Sequence, residues 1–279
     1  MKKLLTIVSL VSLGAIQHAA AQATPLTLNS ANYTQNFDTI ATGQTSSIAT
    51  AAPGWSFWRS GTSSIQPVYS LSGNNTTAVT QNAGTVGTGA VNSSSSGGAY
   101  LWVSGTLASG TDKSIGFLTT GSYMGVTNAA PGQTLSLLFG FTNTLGNTIE
   151  NLDLSWNYER YREGTRSQGW EFYSSSDGVN WLANTSGNQA YSGTSTSIVY
   201  NPPESIAKSV TLNNVNIANG ENYYLRWNFV TTGSWSNSQG LGVDDISMQA
   251  GIVPEPSIAV LGGLGLLIVY FLLRRRKTS

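Results

Sequence analysis

Apolar and aromatic residues recur at every second position through short stretches of this chain, and clusters of Gly, Ser, Thr and Asn separate the stretches. Successive side chains leave a β-strand on opposite faces, so a period of two marks a strand with one face buried. Three stretches are clearest: Gln133–Thr142 aligns Leu135, Leu137, Phe139 and Phe141; Ile149–Tyr158 aligns Leu152, Leu154, Trp156 and Tyr158; Tyr223–Val230 aligns Tyr223, Leu225, Trp227 and Phe229. Shorter strands are expected at Leu26–Leu28, Tyr33–Phe37, Gly54–Arg59, Ile65–Leu71, Thr76–Thr80, Ala99–Val103, Ile115–Thr119, Trp170–Ser174, Val179–Leu182, Ser209–Ile217 and Leu241–Met248. Within Gly54–Arg59, Trp55 and Phe57 share one face and Trp58 takes the other. No segment of helical period with caps occurs before residue 252.

The connections predict how these strands pair. Asn143–Thr148 is short and rich in turn residues, which joins Gln133–Thr142 to Ile149–Tyr158 as an antiparallel hairpin. Ser175–Gly178 closes a second hairpin, because Asp177-Gly178 supplies the positive φ of a tight turn. Gln81–Gly98 and Asn184–Ser197 read as long Ser/Thr/Asn-rich surface loops. The sum is an all-β domain, a two-sheet antiparallel sandwich with aromatic inner faces.

Both ends break this pattern. Met1-Lys2-Lys3, the apolar core Leu4–Ile16 and the small residues Ala19-Ala20-Ala21-Gln22-Ala23 have the three parts of a secretory signal peptide, so residues 1–23 are expected to be removed by signal peptidase. His18, the one histidine, goes with them. At the other end Ile258–Leu273 is apolar, about 24 Å long as a helix at ~1.5 Å per residue, the short limit for crossing a bilayer. Pro254 and Pro256 keep that helix from extending backwards. Arg274, Arg275, Arg276 and Lys277 favour the cytoplasmic side and leave the domain outside. The chain thus divides into a signal peptide (1–23), an ectodomain (24–251) and a C-terminal segment (252–279) with a membrane helix at 258–273.

Val253-Pro254-Glu255-Pro256, a helix containing Gly262, Gly263 and Gly265, and a terminal Arg cluster together resemble a PEP-CTERM sorting signal. The resemblance implies an exosortase that cleaves near Pro254–Pro256, in a Gram-negative cell that makes exopolysaccharide. It implies passage through the inner membrane and arrival at the cell surface or matrix. The run Trp156–Arg162 resembles the aromatic-x-x-Glu-x-aromatic-Arg element of jelly-roll domains of bacterial surface proteins. Ser175–Trp181, Leu225–Trp227 and Gly242–Ser247 continue that likeness over residues 135–249. It implies a jelly-roll-like fold and no particular activity.

Charge and chemistry narrow the functions. With the two ends set aside, Thr24–Gly251 holds 7 basic and 12 acidic residues, a net of −5, which argues against nucleic acid as a partner. Cysteine is absent and no histidine remains after residue 23, so triad hydrolysis, thiol chemistry and His-ligated zinc are excluded for the mature domain. No catalytic residue is assigned. Carboxylates remain: Glu159 with Glu163 or Glu171 could act on a glycosidic bond, or they pair with Arg160, Arg162 or Arg166 as structure. Asp244 and Asp245 are candidates for calcium, although on a strand they face opposite ways and cannot grip one ion side by side; the structural alternative is a bond to Arg226 or to backbone amides. Eight tryptophans exceed what a sandwich core comfortably buries, so Trp235, in a polar loop, and Tyr161 and Trp58 are candidate platforms for sugar rings. The expected role is a structural or adhesive protein of the envelope or exopolysaccharide matrix, with a carbohydrate-binding module and a glycoside-acting enzyme as alternatives.

Overall fold

A computed structural model describes residues 24–40, 48–60, 65–67, 82–83, 98–104, 111–118, 135–194, 198–231 and 238–253. The signal peptide, the strand expected at Thr76–Thr80, Trp235 and the sorting segment from Pro254 onward, including Glu255, Pro256 and Arg274–Arg276, lie outside the described residues. The described chain forms strands β1 (Leu26–Leu28), β2 (Asn32–Gln35), β3 (Trp55–Ser60), β4 (Ile65–Pro67), β5 (Asn82–Ala83), β6 (Gly98–Val103), β7 (Lys113–Leu118), β8 (Leu135–Asn143), β9 (Thr148–Glu163), β10 (Gln168–Ser175), β11 (Leu182–Ala183), β12 (Gln189–Tyr191), β13 (Ile198–Leu212), β14 (Asn222–Thr231) and β15 (Gly240–Val253). Among the described residues helix is limited to one turn, Ile48–Ala51, and a 3-10 turn at Thr185–Gly187. No helix among the described residues is long and apolar enough to cross a membrane.

Two sheets face each other. The larger has the order β11-β10-β14-β8-β3-β4, with β12 beside β10 and β1 beside β8; the smaller has the order β13-β9-β15-β7-β6-β5, with β2 beside β15. Among the described pairs β1–β8 and β5–β6 are parallel and the rest antiparallel. The two N-terminal strands do the same job in each sheet. β1 takes over along β8 where β3 stops, and β2 takes over along β15 where β7 stops.

The inward faces are those the periodicity predicts. Leu135, Leu137, Phe139, Phe141, Leu152, Leu154, Trp156, Tyr158, Leu225, Trp227 and Phe229 are buried in one core, together with Trp55 and Phe57. Trp55 stacks on Trp227 at 5.5 Å, and Trp156 meets Trp227 edge-on at 5.6 Å across the sheets. Such aromatic contacts add ~0.5–1.5 kcal/mol each beyond area burial. Of the eight tryptophans Trp55, Trp156, Trp170 and Trp227 are fully buried in this core and Trp102 in a second cluster, while Trp181 is partly exposed.

The expected β8–β9 hairpin is also corrected. β8 belongs to the larger sheet and β9 to the smaller, so Thr144–Asn147 crosses between layers. Each strand has a long apolar face, and those faces are covered by packing against each other rather than by lying side by side. Asn143 holds the corner, its side-chain amide donating to the carbonyls of Asn147 and Ile217 at 2.8 and 2.9 Å. The second hairpin forms, with β10 pairing with β11 and Gly178 at a φ of 70°, but its turn is longer than expected and the strand at Val179–Leu182 is reduced to Leu182–Ala183. Asp177 fixes its turn by accepting from the amides of Val179 and Asn180 at 2.8 and 2.7 Å.

β13 begins eleven residues earlier than expected and ends at Leu212. Pro202 and Pro203 disguise it in the sequence. They are tolerated because β13 is an edge strand and they fall in the bulge between Val199 and Glu204, where no ladder amide is needed. β15 likewise runs past Met248 to Val253, which pairs with Thr148. Within it a second bulge, between Asp244 and Ser247, inserts one residue opposite β9. Leu241 and Val243 face the core before it, Ile246, Met248 and Ala250 after it.

Candidate functional site

The outer faces of the two sheets hold the side chains with chemistry to offer. On the larger sheet, the residues between the buried positions of β14 are Tyr224, Arg226 and Asn228, and the register sets them beside β10 and β8. Glu171 lies opposite Asn228 and Ser136; Tyr173 lies opposite Arg226 and Leu138; Ser175 lies opposite Tyr224 and Gly140. The guanidinium of Arg226 sits over the Tyr173 ring at 4.8 Å and over the Trp181 ring at 4.1 Å. Each such contact supplies ~0.5–2 kcal/mol, depending on desolvation. Burial lowers the Arg226 pKa to about 10. Tyr173 donates its hydroxyl to Glu171 at 2.6 Å, and Ser136 donates to Asn228 at 2.7 Å. Glu171, Tyr173, Trp181, Tyr224 and Arg226 are all partly exposed. Trp58 lies in β3, in register opposite Ser136 and Pro67.

On the smaller sheet the outer face is closed where β6, β7 and β15 meet the end of β9, and open farther along β9, where Asp153 and Ser155 are exposed. Tyr100 stacks on Trp102 at 4.7 Å and Trp102 on Tyr161 at 5.2 Å, and these three form a second buried cluster with Leu118. The indole lies across β15 because Gly240 and Gly242 leave room: a Cβ at Gly240 would come within 3.0 Å of Trp102, and one at Gly242 within 2.2 Å of the Ser114 hydroxyl. Tyr161 is 0% exposed, which corrects its nomination as a sugar platform. Its hydroxyl accepts from Ser114 at 3.0 Å and donates to Glu159.

Beside that stack three carboxylates meet. One oxygen each from Asp112, Glu159 and Asp244 lie within 4.8 Å of one another. Asp112 precedes β7 and is exposed; Glu159 is 5% and Asp244 1% exposed. Burial raises the Glu159 pKa to about 7, and burial also raises Asp244 to about 9. Asp112 is raised too, by desolvation first and then by the neighbouring charges of Asp38 and Asp245. Asp245 is turned away by the bulge, at a φ of 51°, and accepts from the Asn157 side chain at 2.9 Å. Of the structural alternative drawn from the sequence, Arg226 is no partner for Asp244, since it lies on the other sheet, whereas a backbone amide, that of Asp245, does bond the Asp244 carboxyl.

The carboxylates nominated for glycoside chemistry do not converge. Glu171 is on the larger sheet; Glu163 pairs with Arg160 at 3.6 Å and accepts from Tyr200 at 2.5 Å. Arg160 in turn bonds Glu204 through Nε at 2.6 Å and lies over the rings of Tyr191 and Tyr200 at 5.1 and 5.0 Å. Glu159 has found other acids, but a pair that flanks a glycosidic bond must reach solvent, and Glu159 and Asp244 are both buried. Asp112, Tyr173 and Tyr224 were not singled out from the sequence, and Arg226 only as a partner for Asp244. For Tyr224 and Arg226 the signal was present, since the alternation that buries Tyr223, Leu225, Trp227 and Phe229 turns residues 224 and 226 outward.

No family model matches the chain, and no curated protein matches it. Solved structures similar to parts of it include TmCBM61 in complex with β-1,4-galactotriose, at 9% identity over 50% of this chain and 72% of that one, with a TM-score of 0.30. Another is the CBM22-1–GH10 portion of a Clostridium thermocellum xylanase complexed with xylohexaose, at 8% identity over 78% and 28%, with a TM-score of 0.34. A third is the CBM22-2 xylan-binding domain of Paenibacillus barcinonensis Xyn10C, at 12% identity over 53% and 84%, with a TM-score of 0.30. Likenesses this remote say nothing about what this chain binds.

Proposed function

We propose that the sandwich is a non-catalytic polysaccharide-binding domain and that the outer face of its larger sheet is the contact surface. The observation that carries this reading is the partly exposed group in which Arg226 is held between Tyr173 and Trp181, with Tyr224 and Glu171 alongside. Sugar recognition needs flat rings for the apolar faces of pyranoses and fixed donors and acceptors for their hydroxyls. Here the rings, a guanidinium and a carboxylate stand on rigid neighbouring strands and on one turn tied to them. In this reading the C-terminal segment delivers the domain to the surface, where the adhesive role expected from the sequence acts through bound exopolysaccharide.

Affinity electrophoresis through gels containing soluble polysaccharides, including the producing cell's own exopolysaccharide, tests it. The wild-type chain is expected to be retarded by at least one, and Trp181→Ala or Tyr224→Ala to weaken that retardation ~5–30-fold, the equivalent of ~1–2 kcal/mol of lost stacking. Mobility unchanged by every polysaccharide, or variants retarded like the wild type while near-ultraviolet circular dichroism reports an intact fold, would refute the proposal.

A further inference from the structure

We infer that the outer face of the smaller sheet is a calcium site whose protein ligands are Asp112, Glu159 and Asp244. This goes beyond polysaccharide binding and stands independently of it, on the opposite face of the sandwich. The first argument is geometric. Two ligands of an ion at ~2.3–2.6 Å are at most ~5 Å apart, so three oxygens within 4.8 Å of one another have the spacing of ligands to one calcium, with an adjustment of at most roughly a few tenths of an ångström. Magnesium, at ~2.0–2.1 Å, allows a span of only ~4.2 Å and demands a near-ideal octahedron, a stricter fit. With carboxylates alone in the cluster, the ligand set is one that selects a hard cation.

The second argument is an unmet bond. Oδ1 of Asp244 has no hydrogen-bond partner although its residue is 1% exposed. A buried acceptor left unsatisfied is costly, and more so when it is ionised. The described ion pairs do not neutralise the cluster: both involve Arg160, with Glu163 and Glu204. Lys113, next in sequence to Asp112, spends its ammonium on the backbone carbonyls of Asp38 and Ile40. A divalent ion would satisfy Oδ1 and bind the three carboxyl groups together.

The remaining features suit such an ion. Asp112 is exposed, so water has access to complete the shell. The Tyr161 hydroxyl, bonded to one Glu159 oxygen, fixes that carboxylate and leaves its other oxygen for the ion. The bulge at Asp245 makes the arrangement: it turns the neighbouring acid toward Asn157 and lets Asp244 join two residues distant in sequence.

The experiment uses the full chain stripped with EDTA and then titrated with terbium, a calcium surrogate whose luminescence is sensitised by nearby aromatic rings. Excitation of Tyr161 and Trp102 is expected to produce terbium emission that calcium displaces and magnesium displaces poorly. Calcium at ~100 times its dissociation constant is expected to raise the melting midpoint by roughly 5–10 °C. Asp244→Asn and Asp112→Asn are expected to weaken both responses at least tenfold, while Asp153→Asn, an exposed acceptor of the Thr211 hydroxyl, leaves them unchanged. If Asp244→Asn does not fold, exposed Asp112→Asn decides the matter. A stripped wild-type chain with no sensitised emission and no calcium-dependent shift, or variants that respond as the wild type does, would overturn the site.

Discussion

The two outer faces of the sandwich use the same materials, aromatic rings beside charged groups, and put them in opposite states of access. On the larger sheet the rings of Tyr173 and Trp181 enclose a cation and stay partly open to water. On the smaller sheet the rings of Tyr100, Trp102 and Tyr161 are closed over two glycines, and the charges beside them are acids. A guanidinium tolerates half-burial because its donors remain usable and its flat face stacks. Packed carboxylates repel one another and are satisfied only by protons or a cation. The difference separates an open aromatic surface from a closed one.

Substitutions at the rings break that comparison most directly. Trp102→Ala removes the middle of the closed stack and is expected to lower stability by ~3–5 kcal/mol, read as a reduced urea midpoint. The core between the faces comes next, through pH. Tyr33 accepts from the Trp55 indole at 2.8 Å, and burial raises its pKa to about 12; burial also holds Tyr158 well above the usual tyrosine value. A raised folded-state value means stability intact below pH 10, the unfolded value, and lost as pH climbs through about 12. At ~1.4 kcal/mol per unit this is roughly 2–3 kcal/mol for Tyr33. Absorbance of tyrosinate tracked with far-ultraviolet circular dichroism is expected to show the buried tyrosines ionising only as the fold is lost.

Gly242→Ala tests the floor beneath Trp102. The added methyl meets the Ser114 hydroxyl and is expected to cost ~1–3 kcal/mol through overpacking. Trp181→Ala, on the open face, is expected to change stability by less than ~1 kcal/mol while removing most of the polysaccharide retardation. Smallest is Asp177→Asn. The amides of Val179 and Asn180 hold the Asp177 carboxyl well below the usual carboxylate range, so its contribution is present above pH 4 and fades as pH falls. The variant's melting midpoint is expected to differ slightly from the wild type at pH 7 and to converge with it in acid.

These outcomes also mark how much was legible in the chain. The inward faces of β8, β9 and β14 follow from alternation, because burial of one face is a local property. Which sheet each strand joins does not, since a short connection serves a hairpin and a crossover equally well; only the packing of Trp156 against Trp227 across the layers distinguishes them. Pro202 and Pro203 hid the first part of β13, because their cost depends on being at an edge, which sequence does not state. That Asp244 meets Asp112 and Glu159 was not legible: a one-residue bulge resets the alternation there and turns Asp245 toward Asn157, and both other acids are distant in the chain. Tyr161 was nominated for the surface because nothing local announces that Trp102 will lie on it.

The double proline of β13 has one further consequence. An unpaired strand border is a template on which identical chains polymerise, and crowding at a cell surface would favour it. Pro202 and Pro203 lack the amide hydrogens that a docking strand would need, and the bulge beside them spoils the spacing. Docking of another strand at that end of the border is therefore disfavoured.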